Sequence, residues 1–455
     1  MLPQMTLTSS LAFVAFLMCF SFSVNQQPYN YSTASVPTSW TNLPSLTYNF
    51  ELYSGETVRS LLRQNTHGLS FAAGFYCFPP CKSFFLSIYI ISEIDDNPNY
   101  YFPLQVIWSA NRARPVSENA TLHLTSKDGL TLLDSDGSLV WSTNVMNRSV
   151  TGINITEAGN LVLFDINNLI IWQSFDHPTD CLVMGQTLEG GMRIIANSSS
   201  TDLAESQFYL TLLADGLYGF VNSNPPLEYF PYHTSYSTSN RTVDKSAFIK
   251  YMNGSLTILS PNLSSYPYIF EIPPAISIQY MRFESDGHLR VYDYDTYDWK
   301  MVSDLFNYMD FYMDNCDYPT VCGHYGICDN EQCTCPTVTG TSENYFKPVD
   351  NRRPELGCFA ITNITCQDVK NHRLLDLTSI SYFNTVDNNV AFEATEETCK
   401  KACLEDCKCK AALFQSSPFQ SSNGNSSDGE CLILQEVFSF KNQPDDSRSS
   451  AYIKG

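Results

Sequence analysis

Along the first two thirds of the chain, apolar and polar residues alternate in short runs broken by Gly, Asn and Asp. That period-two pattern predicts half-buried strands joined by tight turns. Three segments share one phrase: "DGLTLLDSDGSLVW" ends at Trp141, "GNLVLFDINNLIIW" at Trp172 and "DGHLRVYDYDTYDW" at Trp299. Each has a Gly turn, an alternating strand, an Asp (Asp134, Asp165, Asp293), a second turn and a Trp. Asp beside Gly or Asn suits hairpin tips, where positive φ is needed. "LQVIWSANRARPV" adds another such Trp, Trp108. Strands of this kind bury one face, and the Trp residues are expected to fill a shared centre.

The pattern departs from this at both ends. Leu11 to Phe20 is an uncharged apolar run followed by polar "SFSVNQQ", which predicts a secretory signal over residues 1–24. Met1 to Ser10 holds no Lys or Arg, unlike the usual signal, and a buried N-terminal segment is the alternative. No later run reaches membrane-spanning length, so no transmembrane segment is expected. After Ser303 cysteines replace the alternation. "ATEETCKKACLEDCKC" reads as a helix, with Glu396 and Glu397 in its first turn, each four residues before Lys400 or Lys401. Cys399, Cys403 and Cys407 recur at i, i+4 and i+8, on one face.

Composition narrows the function. A chain of 455 residues suggests about three or four domains. Its net charge of −21 argues against nucleic-acid binding, which needs clustered Lys and Arg. Of 16 cysteines, Cys19 leaves with the signal, and most others fall between Cys316 and Cys431, so the C-terminal third is stapled. N-glycosylation sequons stand at Asn30, Asn119, Asn147, Asn154, Asn197, Asn240, Asn253, Asn262, Asn363 and Asn425. With the signal they place the chain as secreted and extracellular, in apoplast or cell wall. Cys77 and Cys81 in "CFPPC" suit a small disulfide loop; a metal site is the rival, without a His or Asp cluster to support it. Cys181 is left over, as a nucleophile, an intermolecular link or a buried small hydrophobe, and burial is favoured.

"VIWSANRARPVSENATLHLTS", "GSLVWSTN" and "GNLVLFDINNLIIWQSFDHPTD" resemble the bulb-type (G-type, monocot mannose-binding) lectin domain of plants. The closest resemblance is to its version in S-locus glycoproteins and S-domain receptor-like kinase ectodomains. The resemblance implies a mainly all-β chain: a β-prism lectin domain over 46–188 and a second, degenerate copy over 189–303. "CDYPTVCGHYGICDNEQCTC" is similar to the family's EGF-like module, over 312–358, and the remainder (366–455) resembles its α+β PAN/apple domain. The family patterns imply Cys316–Cys328, Cys322–Cys333 and Cys335–Cys358 in the first, and Cys399–Cys431 and Cys403–Cys409 in the second. Cys366–Cys407 is the pair then left.

No catalytic constellation is legible. The His residues are scattered, and "DHPTD", with His177 between Asp176 and Asp180, reads as a turn. "DSDG" (Asp134 to Gly137) opens like a calcium loop but lacks its later ligands, and reads as a hairpin tip. No enzyme, metal or cofactor is expected. The resemblance does imply a sugar site, Gln-x-Asp-x-Asn-x-Val-x-Tyr. In register, the Trp141 repeat gives Thr125, Lys127, Gly129, Thr131 and Leu133, with every position lost. The Trp172 repeat gives Thr156, Ala158, Asn160, Val162 and Phe164, keeping Asn160 and Val162, with Phe164 a ring without its hydroxyl. The Trp299 repeat gives Glu284, Asp286, His288, Arg290 and Tyr292, keeping Asp286 and Tyr292. A mostly eroded mannose site on a lectin scaffold is the expectation. The chain then recognises an extracellular glycan, glycoprotein or peptide, or else pairs without sugar with itself or an S-domain receptor kinase, as a co-receptor, decoy or shortened ectodomain of such a kinase.

Overall fold

The computed structural model describes residues 31–455 apart from 47, 53, 65–67, 93–103, 146–147, 234–241, 261–266, 297, 309–312, 338–344, 362–365, 367–371, 384–390 and 418–427. The signal segment and the sequons at Asn30, Asn147, Asn240, Asn262, Asn363 and Asn425 lie outside the described residues.

Three antiparallel sheets form the N-terminal β unit. One holds strands Asn49–Glu51, Thr57–Arg63, Leu69–Cys77, Phe85–Ser92 and Gln105–Ser109 in order. The second runs Leu139–Ser142, Gly129–Leu133, Thr121–Thr125, Thr38–Thr41, and the third Thr33–Ser35, Gly152–Ile155, Leu161–Phe164, Ile170–Gln173. Each sheet ends on a strand carrying a Trp. Trp108, Trp141 and Trp172 meet edge-to-face, with ring centroids 5.8 to 6.1 Å apart, at the centre of the unit. T-shaped contacts of this kind add to what area burial alone provides. Two strands upstream of Leu46 close two of these sheets. They carry no copy of the repeat phrase, and the 46–188 span leaves them out.

Hairpin tips follow the Asp-Gly and Asp-Asn chemistry. Asp134 Oδ1 accepts from the amides of Ser117 and Ser135, and Gly137 takes φ +81°. Asp165 Oδ1 accepts from the amides of Asn167 and Leu169, with Asn168 at φ +61°. The third Asp differs from expectation. Asp293 is buried inside strand Leu289–Asp295, where it accepts from the Ile276 amide, and Thr296 (φ +64°) makes the turn instead. Trp299 likewise departs from the shared centre: it packs edge-on against Tyr280 and Tyr294, not on the other three Trp rings.

The second β unit also has three four-stranded sheets. Its first two short strands, Cys181–Val183 and Thr187–Glu189, pair with Gln279–Phe283 and Phe248–Met252. Phenylalanines fill its centre, with Phe230 stacked on Phe306 at 3.7 Å. A buried polar chain joins the two units. Arg112 donates to the carbonyls of Leu203 (2.8 Å) and Ala196 (2.9 Å) and to Asn197 Oδ1 (2.9 Å). Asn197 Nδ2 donates to Asp180 (2.9 Å), Asp180 pairs with Arg282 (3.1 Å), and Arg282 Nη1 reaches Gln105 Oε1 (3.0 Å).

Disulfides Cys316–Cys328, Cys322–Cys333 and Cys335–Cys358 hold the next stretch, and Cys366–Cys407, Cys399–Cys431 and Cys403–Cys409 the last. Cys77 is bonded to Cys81. The two C-terminal modules share a sheet, because Ile327–Asp329 pairs parallel to Phe440–Asn442. Helix Glu396–Glu405 starts at Thr395, whose side chain accepts from the Thr398 amide, and packs on a five-stranded sheet. Cys399 and Cys403 are buried beneath it. Cys407 is not on that face: the helix stops at Glu405, where Lys454 Nζ donates to the carbonyls of Cys403 (3.0 Å) and Asp406 (2.9 Å). A cation satisfying the last carbonyls ends the helix before Cys407 is reached.

Candidate functional site

In all three repeats the sugar-motif stretch runs through a turn and into the following strand. The repeats use these positions differently.

Asn160 in the Trp172 repeat is fully engaged by its own chain. Its Nδ2 donates to Gln173 Oε1 (2.8 Å), and its Oδ1 accepts from Ser174 Oγ (3.2 Å) and the Phe175 amide (3.3 Å). Asn160 and Val162 are buried, and the Phe164 ring lies against Gly152 of the neighbouring strand. The amide thus fixes the turn after Gln173 and has little left for a sugar hydroxyl.

The Trp299 repeat is closed by mutual pairing. Tyr292 OH donates to Glu284 (2.7 Å), Arg290 pairs with Asp286 (2.8 Å), and His288 Nδ1 lies 2.6 Å from Asp304. Burial, with the Glu284 carboxylate beside it, pushes the Tyr292 phenol up. The His288 ring stacks on Tyr318 at 3.7 Å, so this position carries the contact with the first disulfide-rich module.

The Trp141 repeat keeps none of the motif yet has the open space. Gly129 stands at the third position at φ +67°, and a Cβ there would meet Thr143 Oγ1 at 2.5 Å and Val145 at 2.8 Å. Without a side chain at that point, a cleft of about 770 Å³ opens beside it. Lys127 and Thr131 line it, together with Ser126, Asp128, Leu139, Ser142, Asn144, Val145, Arg148 and Ser149. Lys127 and Thr131 are motif positions. Ser142, Asn144, Arg148 and Ser149 were not picked out from the sequence, because they follow the Trp rather than precede it.

The remaining candidates are structural. His177 stacks on Trp172 (5.4 Å), and its carbonyl accepts from Trp108 Nε1 (2.7 Å), so "DHPTD" is a turn against the Trp cluster. Cys181 is the free cysteine and is buried; burial pushes its thiol well up, against the opposing pull of Arg282. A protonated, enclosed thiol behaves as a small hydrophobe. Among the described residues no group of three His, Cys, Asp or Glu side chains is arranged to hold a metal ion, and no helix is long and apolar enough to cross a membrane.

A family profile described as D-mannose binding lectin matches residues 105–206, which include the Trp141 and Trp172 repeats. The chain is 25% identical over 396 residues to a G-type lectin S-receptor-like serine/threonine-protein kinase of Arabidopsis thaliana, a match covering 79% of this chain but 41% of the kinase. It is 28% identical over 266 residues to the epidermis-specific secreted glycoprotein EP1 of Daucus carota, covering 51% of this chain and 68% of that protein. EP1-like glycoprotein 4 of Arabidopsis thaliana is 30% identical over 336 residues, with 68% of this chain and 71% of the relative covered. With that match, and with the Trp-centred sheets of a lectin scaffold, the chain belongs to the EP1-like glycoproteins, relatives of the G-type lectin ectodomains.

Proposed function

We propose that this protein is a secreted, non-catalytic recognition glycoprotein that binds an extracellular glycan at the cleft beside the Trp141 repeat. One observation carries the reading. The motif positions of the Trp172 and Trp299 repeats are occupied by their own hydrogen bonds, whereas the Trp141 repeat presents an open cleft lined by hydroxyls, an amide and cations. The apolar run at Leu11 to Phe20, the sequons and the disulfide framework support an extracellular address. Simple mannose is not the favoured ligand, since Asn160, Val162, Phe164, Asp286 and Tyr292 serve packing and pairing. The test is a broad glycan array probed with the full secreted chain, with free mannose as competitor. Binding that survives mannose and Asn160→Ala supports the reading. A blank array, or binding abolished by mannose and by Asn160→Ala, overturns it.

A second reading, a sugar-independent partner protein, rests on one surface. In the hairpin Phe346–Pro348 and Cys358–Ala360, Phe346 and Cys358 face the core. Tyr345, Val349, Phe359 and Ile361 are exposed on the opposite side. Concentration-dependent self-association that is lost in Phe359→Ser would favour this reading over the first.

A further inference from the structure

The cleft beside the Trp141 repeat differs in charge from the molecule around it. The chain carries −21, yet the cleft holds two cations, Lys127 and Arg148, and one carboxylate, Asp128. Asp128 is turned into its own β-turn. Its Oδ2 accepts from the Thr125 hydroxyl (3.3 Å), and its amide donates to Thr125 Oγ1 (3.0 Å). Arg148 spends one contact on the Ile171 carbonyl, at 3.4 Å, which leaves most of its five donors open. Among the described residues neither Lys127 nor Arg148 makes an ion pair. Ion pairs with carboxylates occupy cations elsewhere on the chain, as at Arg290, Lys400 and Lys441.

The neutral-hexose motif of the family offers amide, carboxylate and phenol. At this repeat a carboxylate position has become Lys127, the amide position is Gly129, and Arg148 enters from beyond the Trp. A carboxylate acceptor has thus been exchanged for cationic donors. Sugar hydroxyls can both donate and accept, whereas ammonium and guanidinium groups only donate. They match best an acceptor-only group, and a guanidinium fork fits a planar carboxylate with two parallel bonds. Around them, Ser126, Thr131, Ser142 and Ser149 offer hydroxyls at the scale of a sugar ring. Leu139, 58% exposed, gives an apolar surface for its C–H face.

We propose that this cleft selects a carboxylated glycan, a uronate-bearing oligosaccharide, with Lys127 and Arg148 as the carboxylate-binding residues. The proposal rests on the glycan-binding reading above and names the ligand class for the same site. It accounts for an acidic protein that has a cationic pocket where its relatives' motif would place a carboxylate.

The test is binding of the full secreted chain to an unesterified oligogalacturonate, its methyl ester, a neutral mannan oligosaccharide and a polyglutamate peptide. Preference for the unesterified sugar over its ester is expected. Lys127→Gln and Arg148→Gln should each weaken it about tenfold, the scale of losing a charged hydrogen bond. Both side chains are exposed and both variants keep the fold's contacts, so unchanged thermal melts are expected alongside. Equal binding of acid and ester, equal binding of polyglutamate, or acid binding indifferent to both substitutions overturns the proposal. Binding of the neutral mannan alone overturns it too, yet leaves the lectin reading standing. No binding to any glycan removes both.

Discussion

Removing one arginine tests whether the two β units act as one body. Arg282 sits on strand Gln279–Phe283 of the second unit and is nearly enclosed. It pairs with Asp180 at 3.1 Å and donates to Gln105 Oε1 and the Val106 carbonyl of the first unit. In Arg282→Met the volume is largely kept but Asp180 stays behind as a buried anion. Its remaining donors are Asn197 Nδ2 (2.9 Å) and the Thr179 hydroxyl (3.1 Å). Breaking a buried pair from one side costs about 3–5 kcal/mol. Those two surviving hydrogen bonds, and the Tyr280 hydroxyl that still reaches Gln105 (2.9 Å), place the cost near the lower end. At 2–4 °C per kcal/mol for a body of this size, the melt should fall by roughly 6–12 °C.

The assay is thermal unfolding followed both by tryptophan fluorescence, which reads the Trp108, Trp141 and Trp172 cluster of the first unit, and by far-ultraviolet circular dichroism. The two transitions should coincide in the natural protein and separate in Arg282→Met, because the substitution cuts contacts that cross between the units. Adding Asp180→Asn removes the stranded charge. The double variant should therefore be more stable than the sum of the single losses implies, with a coupling of about 0.5–3 kcal/mol. A melt within about 1 °C of the natural protein, or strictly additive losses, would refute the reasoning.

Two further expectations concern single positions. Asn197 should be unglycosylated in the folded secreted protein although it lies in a sequon, because its amide joins Arg112 to Asp180; peptide mapping that finds it fully occupied would sink this. Asn119 and Asn253, both exposed, are the contrasting cases. Hydrogen bonding from Lys400, with a smaller share from Tyr452, holds the Glu396 carboxyl below its ordinary range. A depressed carboxyl contributes stability above its unfolded value, near 4.3, and loses it as pH falls. The pair is half-exposed, so the contribution is under about 1 kcal/mol. The stability difference between the natural protein and Glu396→Gln should be present at neutral pH and vanish below roughly pH 4. A difference that persists in acid would contradict the assignment.

Much of the scaffold was legible because it rests on local rules. Period-two alternation located the strands, and Asp-Gly and Asp-Asn located two of three hairpin tips. What the repeat phrase could not show is where its copies diverge. Asp293 and Trp299 look like Asp165 and Trp172 in the sequence. However, Asp293 holds the amide of Ile276, and Trp299 packs on Tyr280 and Tyr294. Those partners come from a neighbouring strand and the loop before it, which no spacing rule names. Cys407 fits the helical period of Cys399 and Cys403 and still falls outside the helix. Lys454, far along the chain, terminates it.

The same distinction explains the candidate site. Position-by-position comparison counts Asn160 as a retained sugar contact and Lys127 as a lost one, because it scores residue type alone. Hydrogen-bond saturation reverses that order. Asn160 keeps its identity because the turn at Ser174 and Phe175 needs its amide. Tyr292 and Asp286 keep theirs because Glu284 and Arg290 bind them. Retention at these positions therefore reports a structural demand. Lys127 answers no such demand among the described residues, since it makes no ion pair and packs into no core. A cation left unpaired in a chain with nearly twice as many acids as bases (47 against 26) stands where acids could have neutralised it. Its freedom, shared with Arg148 across one cleft, makes the Trp141 repeat the place to look for a ligand.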